Sequence, residues 1–341
     1  MFKKSVTCVS RWSRLSVFVL ASSVTVAAMA ADITGAGATF PYPIYAKWAE
    51  AYKAKTGVGM NYQSIGSGGG IAQIKAKTVD FGASDAPLKP DDLKAAGLMQ
   101  FPAIIGGIVP VVNIEGVAPG AMKLTGPVLA DIYLGKIKNW NDPAIKAINP
   151  GVNLPSTPIA LAVRSDSSGT TANFSLFLTL AAPTWKLGTS STINWPSSAH
   201  AGNGNGGVAQ IVKTTPGSIG YVDYADAKAA GLTFASVKNK DGNYVAPSPS
   251  SASAAGATVT LKPDLTFAAA WQSGAQAYPI INYEYAIVNS SQPNPTEARD
   301  LQAFLYWAIT GGTAQLAPVN FQPLPSAIVT LSEAQIATIH G

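Results

Sequence analysis

The sequence predicts an α/β fold layered around a largely parallel sheet, on two observations. Short apolar, β-branched runs alternate along the chain with segments of helical periodicity. Of the 341 residues, 47% are hydrophobic and only 12% charged, enough for a core of two domains and against a disordered chain.

The elements follow in order. Ile44, Trp48, Ala51 and Tyr52 share one helical stripe, with Lys47, Glu50 and Lys53 turned away and Gly57 as a stop. Residues 58–65 alternate as a strand, with Val58, Met60 and Tyr62 on one face. Ile71 and Ile74 open a second helix, and residues 79–84 form a short apolar strand. Residues 104–112, 159–163 and 218–222 read as further strands. Val128, Leu129 and Ile132 mark a helix behind Pro127. Residues 280–288 are another strand. After the loop 293–296, Leu301, Phe304, Leu305 and Ala308 make a helical stripe. Ser332 and Gln335 fit a capping box for a last short helix. Residues 196–207 and 248–258, rich in Ser, Gly and Ala, read as surface loops. No internal repeat is visible.

The first thirty residues stand apart. Lys3, Lys4, Arg11 and Arg14 make a positive start, residues 15–30 are apolar or small, and Ala28-Met29-Ala30 fits a small-x-small cleavage site. This predicts a secretory signal peptide over 1–30. A transmembrane anchor is disfavoured by the shortness of the run and by Ser22, Ser23 and Thr25 within it. The leader holds four of the 23 Lys+Arg and none of the 18 Asp+Glu, so the mature chain carries 19 basic and 18 acidic residues, a net +1. The basic character is therefore no sign of a nucleic-acid partner. Cys8, the sole cysteine, leaves with the leader. Arg11 and Arg14 after it, and no apolar run before it, argue against lipid attachment. Without cysteine there is no disulfide, thiol nucleophile or thiolate metal site, and the core alone must hold the exported fold.

Three places share one pattern: a small, Gly- and hydroxyl-rich turn running directly into a helix. They are residues 35–41, with Thr39 and Phe40; residues 66–70, with Ser67; and residues 164–170, with Arg164, Asp166, Ser168, Gly169 and Thr170. Helix starts present unpaired N–H groups and a positive dipole end, and glycine lets an anion reach the backbone. Singly, Thr39, Ser67 and Ser168 read more readily as N-caps. Together, with one arginine, they point to an anion pocket. Arg164 offers a planar fork for an oxyanion, with Asp166 two residues on to hold it; a purely structural ion pair has the same spacing.

Asp85 is the oddity. It follows the strand at 79–84, at the carboxyl end where α/β sheets bind ligands. A carboxylate beside an anion is repulsive unless it accepts a proton from it. Phosphate near neutral pH keeps a proton and sulfate keeps none, so Asp85 would select phosphate. The alternative is that Asp85 merely caps the turn Ala86-Pro87-Leu88.

Long stretches carry a family resemblance. Thr34-Gly35-Ala36-Gly37-Ala38-Thr39-Phe40-Pro41, Gly66-Ser67-Gly68-Gly69-Gly70 and Val79-Asp80-Phe81-Gly82-Ala83-Ser84-Asp85-Ala86-Pro87 resemble the periplasmic phosphate receptors of the bacterial Pst transporter, the PstS family. So do Asp131-Ile132-Tyr133-Leu134-Gly135-Lys136-Ile137, Ser168-Gly169-Thr170 and Gly217-Ser218-Ile219-Gly220-Tyr221-Val222. The resemblance runs over nearly the whole mature chain. It implies a two-lobed type II periplasmic-binding-protein fold, with mixed, mostly parallel sheets joined by a hinge: lobe 1 over 31–108 plus 277–341, lobe 2 over 109–276. It implies a dehydrated phosphate held only by hydrogen bonds and no cofactor. The phosphate ligands carried over are Thr39, Phe40 through its N–H, Ser67, Asp85 as acceptor of the phosphate proton, Arg164, Ser168, Gly169 and Thr170, with Asp166 holding the arginine. Implied partners are a membrane permease and its ATPase, and a monomer in the periplasm is expected. Ser64, Gly68, Ser165 and Ser167 depart from the family pattern without removing a ligand. The segments at 196–207 and after 258 match poorly, and the C-terminus looks short.

Other classes fare worse. Gly82-Ala83-Ser84-Asp85-Ala86 is close to a nucleophile elbow, but a serine hydrolase needs a base, and the two histidines, His200 and His340, sit in a loop and at the chain end. Two distant histidines and no cysteine in the mature chain argue against a metal enzyme, and no Gly-Lys-Ser/Thr P-loop supports an NTPase. A sulfate or molybdate receptor is opposed by Asp85, and nothing asks for an adhesin or a signalling ligand.

Overall fold

The computed structural model describes Met1, residues 32–262 and residues 264–341. The expected signal peptide, with Cys8, otherwise lies outside the described residues. Ala31–Gly341 form one unit.

The first half contains β1 (Ile33–Gly37), α1 (Tyr42–Thr56), β2 (Met60–Ser64), α2 (Ser67–Lys75), β3 (Phe81–Ser84), α3 (Pro90–Ala96) and β4 (Leu98–Val112). Next come β5 (Lys123–Leu124), α4 (Gly126–Tyr133), α5 (Pro143–Ile148), β6 (Ala160–Arg164), α6 (Gly169–Ala181) and β7 (His200–Gly202). Then follow α7 (Gly204–Thr214), β8 (Ser218–Asp223), α8 (Tyr224–Ala230), β9 (Thr233–Phe234), β10 (Ser236–Lys238), β11 (Tyr244–Val245) and α9 (Pro249–Gly256). β12 (Ile281–Asn289), α10 (Pro295–Ile309) and α11 (Ser326–Ile336) close the chain.

The main sheet runs β2-β1-β3-β12-β4-β8-β6-β7, with β9 beside β4. It is parallel at both flanks, where β2, β1 and β3 pair and where β7, β6 and β8 pair, and antiparallel across the middle. In each flank the first strand in sequence lies between the later two. β4 joins them: its residues 98–107 pair with β12 and its residues 108–112 with β8. This mixed sheet, with helices on both faces, is the α/β architecture expected.

The helical stripes behave as periodicity requires. In α1, Ile44, Trp48 and Tyr52 are buried while Lys47, Glu50 and Lys53 are exposed. Two prolines stand at its start, and Gly57, at φ 81°, returns its N–H to the Lys53 carbonyl. Tyr45, buried as well, stacks on Tyr62 at 4.4 Å and leans on Phe81, making an aromatic floor under the β1–α1 turn.

Four expectations need correction. Residues 196–207 and 248–258 are not surface loops: they hold β7, the first turn of α7, and α9. α9 closes a capping box between Ser248 and Ser251, with serine where the recognisable pattern has Glu or Gln. Its face Ser251, Ala252, Ala255 and Gly256 is buried, because small residues let a helix lie close on the sheet. The last helix starts at Ser326, and Ser332 is no cap: its hydroxyl donates to the Pro102 carbonyl at 2.7 Å. The strand expected at 104–112 begins at Leu98. Pro102 is accommodated where the β12 register slips between Glu284 and Tyr285.

α2 lies unusually close to β1 and β3. A side chain at Gly70 would run into Gly37 and into the Ala36 and Ala83 carbonyl oxygens, backbone that cannot step aside. Gly70→Ala will therefore lift α2 and lower unfolding free energy by about 1–3 kcal/mol. Urea unfolding measures it; an unchanged midpoint would show the packing to be looser than drawn.

Candidate functional site

The chemistry gathers at the carboxyl ends of the strands in the two parallel flanks, three strands in each. Thr39 and Phe40 follow β1, Ser67 follows β2 and Asp85 follows β3. Arg164 ends β6, Asn205 follows β7 and Asp223 ends β8. The two flanks face each other here, as open α/β sheets arrange their ligand crevices.

On the first flank, Tyr62 donates its hydroxyl to the Ala38 carbonyl at 2.7 Å, steadying the β1–α1 turn. The Phe40 ring is buried against Phe321, with centroids 5.3 Å apart. Its N–H donates to no protein group among the described residues. Ser67 is the first residue of α2 rather than its cap. Its hydroxyl oxygen accepts from the Asp85 N–H at 3.3 Å and, across the crevice, from the Gly169 N–H at 3.1 Å.

On the second flank, Arg164 is buried, its side chain 1% exposed. Nε donates to Asp166 Oδ1 at 2.7 Å and Nη2 to Asp166 Oδ2 at 2.5 Å, a two-pronged pair. Nη1 donates to Asn205 Oδ1 at 2.8 Å and weakly to Thr170 Oγ1 at 3.4 Å. Burial pushes the Asp166 carboxyl up, but the hydrogen bonds and charge of Arg164 prevail and hold it below the usual range. Ser168 is a true N-cap, accepting from the Thr171 N–H at 3.1 Å.

The flanks touch. Gly68 N–H donates to the Ser167 carbonyl at 3.1 Å, and Thr170 Oγ1 donates to Asp85 Oδ2 at 3.3 Å. Asn173 Nδ2 donates to the Asp85 carbonyl at 2.6 Å. Glycine is required at the seam: a Cβ on Gly169 would collide with Asp85 and Ser67, and one on Gly68 with Ser167.

Asp85 is 2% exposed and faces Thr170, so it caps no turn; Ser84 does that, its hydroxyl oxygen accepting from the Ala86 N–H at 3.2 Å. Asp85 Oδ1 has no hydrogen-bond partner among the described residues. Burial lifts its carboxyl to about 7, against the pull of Arg164 and Thr170, with Asp226 and Asp166 adding to the lift. Ser84 also donates to the Ala86 carbonyl at 2.7 Å, and its hydroxyl has no histidine partner among the described residues.

Of the eight expected contact residues, these bonds join Ser67, Asp85, Arg164, Gly169 and Thr170, with Asp166, while Thr39, Phe40 and Ser168 stand in the adjoining turns. Four further groups went unread. Asn205, Asp223 and Asp226 pack behind Arg164, and burial lifts the Asp223 carboxyl well up and that of Asp226 to about 6. Glu284 on β12, also lifted by burial, accepts from the Tyr45 hydroxyl at 3.0 Å. Asn205 had a signal. Gly202-Asn203-Gly204-Asn205-Gly206-Gly207 before Val208, Ile211 and Val212 is a fourth Gly-rich turn entering a helix.

Comparison with known proteins shows the family. Residues 22–311 match the family model described as a PBP superfamily domain. The chain is 44% identical over 327 residues to the phosphate-binding protein PstS of Haemophilus influenzae, covering 95% of this chain and 98% of that protein. It is 44% identical over 324 residues to PstS of Pasteurella multocida, covering 94% of each. The chain belongs to the PstS family. The fold of this PstS family member also matches solved structures of lower identity. One is a high affinity periplasmic phosphate-binding protein bound with phosphate, with a TM-score of 0.73 at 22% identity, covering 89% of this chain and 93% of that one. Another is the phosphate-binding protein of Stenotrophomonas maltophilia, with a TM-score of 0.67 at 21% identity, covering 89% and 94%.

The lifted carboxyls set the pH dependence of stability in this PstS family member. The folded chain keeps protons on Asp85 and Asp226 that an unfolded chain releases near pH 4. Their contribution is full below that pH and is lost as pH rises to about 7. Stability of the ligand-free protein will fall across this window. Asp85→Asn will flatten the slope by up to about 1.4 kcal/mol per pH unit. Urea titrations at pH 5, 6 and 7 check this; identical slopes would mean Asp85 is not lifted.

Proposed function

We propose that this protein is an exported, non-enzymatic receptor that binds inorganic phosphate between the two flanks of its sheet and hands it to an ABC permease. The observation that carries the reading is a buried carboxyl acceptor, Asp85, set among donors. Those donors are the Thr39, Ser67, Ser168 and Thr170 hydroxyls, the Phe40, Gly169 and Thr170 N–H groups, and the Arg164 fork. Such a set fits a small oxyanion that carries its own proton. Donors that pair across the seam, such as Gly169 N–H with Ser67, would exchange those partners for phosphate oxygens. Relatives named as phosphate-binding proteins at 44% identity support the same ligand.

In this reading the lobes comprise 31–108 plus 277–341 and 109–276, and bend where β4 passes from β12 to β8. The partner change at residue 108, and the Tyr278 hydroxyl donating to the Ile108 carbonyl at 3.0 Å, support a pivot there. The protein works as a monomer in the periplasm after its leader is cleaved, delivering phosphate to a membrane permease driven by an ATPase.

Titration calorimetry of residues 31–341 tests the reading. Phosphate should bind at micromolar strength or tighter and sulfate not at all at neutral pH. Binding of neither would sink it. Arg164→Ala leaves Asp166 unpaired and should weaken phosphate binding by roughly 30-fold or more, about 2 kcal/mol or above; unchanged affinity would reject the assigned pocket.

Asp85 also sets how selectivity responds to pH. Sulfate is fully ionised throughout, so only an ionised Asp85 repels it. Rejection of sulfate should be strongest above about pH 7 and relax below it. Asp85→Asn should relax it at every pH. Discrimination that neither pH nor the substitution moves would remove Asp85 from its role.

A further inference from the structure

Asn205 lies at the start of α7, in a segment with no expected role, and is 1% exposed. Its side chain serves two kinds of neighbour. Oδ1 accepts from Arg164 Nη1 at 2.8 Å, while Nδ2 donates to Asp223 Oδ2 at 2.6 Å and to Asp226 Oδ2 at 2.7 Å. An amide is the one uncharged side chain that shows a carbonyl to a guanidinium and two N–H bonds to carboxyls. Turned over, it would set N–H against N–H and oxygen against oxygen, so the neighbours dictate its orientation.

We propose that Asn205 is the positioning residue of the site, standing between the Arg164 guanidinium and the Asp223 and Asp226 carboxyls so that the cation stays committed to phosphate. The inference rests on the phosphate reading above.

The local build supports it. The first turn of α7 holds both members of the ion pair at once: Gly204 N–H donates to Asp166 Oδ1 at 3.1 Å while Asn205 holds Arg164. The Asn205 N–H also donates to Thr39 Oγ1 at 3.3 Å, tying the turn to the opposite flank. Gly204 is left-handed, at φ 64°, and a side chain on Gly202 would strike the Gly207 backbone. The turn is thus built to approach closely.

Behind the amide, Asp223 is fully buried and is held by the Asn282 Nδ2 donor at 3.3 Å as well as by Asn205. Without the amide, only the Thr170 hydroxyl, 3.4 Å from Arg164 Nη1 and 3.3 Å from Asp223 Oδ2, separates the guanidinium from these carboxyls. A buried cation turns toward a nearby carboxyl once the group that held it in place is gone. The acids then compete with phosphate for the same N–H groups.

Phosphate titration calorimetry of the purified protein tests this with a double-mutant cycle. Asn205→Ala should weaken binding about 10- to 100-fold in the wild-type background, but less than about 3-fold in an Asp223→Asn/Asp226→Asn background, where neither of the two carboxyls behind the amide remains. Thermal unfolding alongside confirms that each variant is folded. A merely structural Asn205 gives the same loss in both backgrounds, which would overturn the inference, as would no loss in the first. Should Asn205→Ala fail to fold, the same cycle with Asn205→Ser carries the test under the same criteria. A wild type without affinity for phosphate would instead overturn the reading beneath it.

Discussion

The arrangement hangs on one buried cation. A guanidinium out of water is costly unless its N–H groups find acceptors, and Arg164 finds them in Asp166 and Asn205. Each acceptor comes from a different piece of chain: Asp166 from the turn after β6, Asn205 from the start of α7. Satisfying one arginine therefore fixes β6, the turn before α6 and the start of α7 relative to one another. The same constraint brings Gly204 and Thr39 into contact through the first turn of α7.

Around that cation the fold collects more acid than it can leave ionised. Asp85, Asp223, Asp226 and Glu284 are packed close together, and only Asp166 is paired so well that its carboxyl is held low. Burial answers the excess by raising the other carboxyls, so they release their protons at higher pH than exposed acids do. A site that holds protons near neutrality suits a ligand that carries one, because a proton shared between carboxyl and oxyanion can sit on either side of the bond. In the proposed reading, stability and selectivity draw on the same groups, and a change at Asp85 touches both.

Closeness at the seam is bought with glycine. Gly68, Gly169 and Gly204 stand where the two flanks meet, and a side chain at each would meet the opposite flank. Gly70 performs the same service one turn further in, setting α2 flush on β1 and β3. Ser67 owes its position between Asp85 and Gly169 to that contact.

Much of this was legible in the sequence. Helix faces such as Ile44, Trp48 and Tyr52 depend on a 3.6-residue period, which the chain states locally. The glycine and hydroxyl turns before α1, α2 and α6, the Arg164–Asp166 spacing and the acid after β3 are also short-range patterns. They pointed to the family and to the residues proposed to hold phosphate. Other features depend on partners far away in the chain. β12 inserts between β3 and β4 from the far end of the sequence, and β4 runs through Pro102 as one strand because β12 absorbs the irregularity there in a register shift. α9 is a helix because its small face is buried on the sheet. Asn205, Asp223 and Asp226 matter only because three strand ends converge behind Arg164. By itself the sequence determined which residues could hold an anion, since that is local chemistry. Only the tertiary structure decided which neutral and acidic groups surround the cation, since burial and charge balance are properties of the packed assembly.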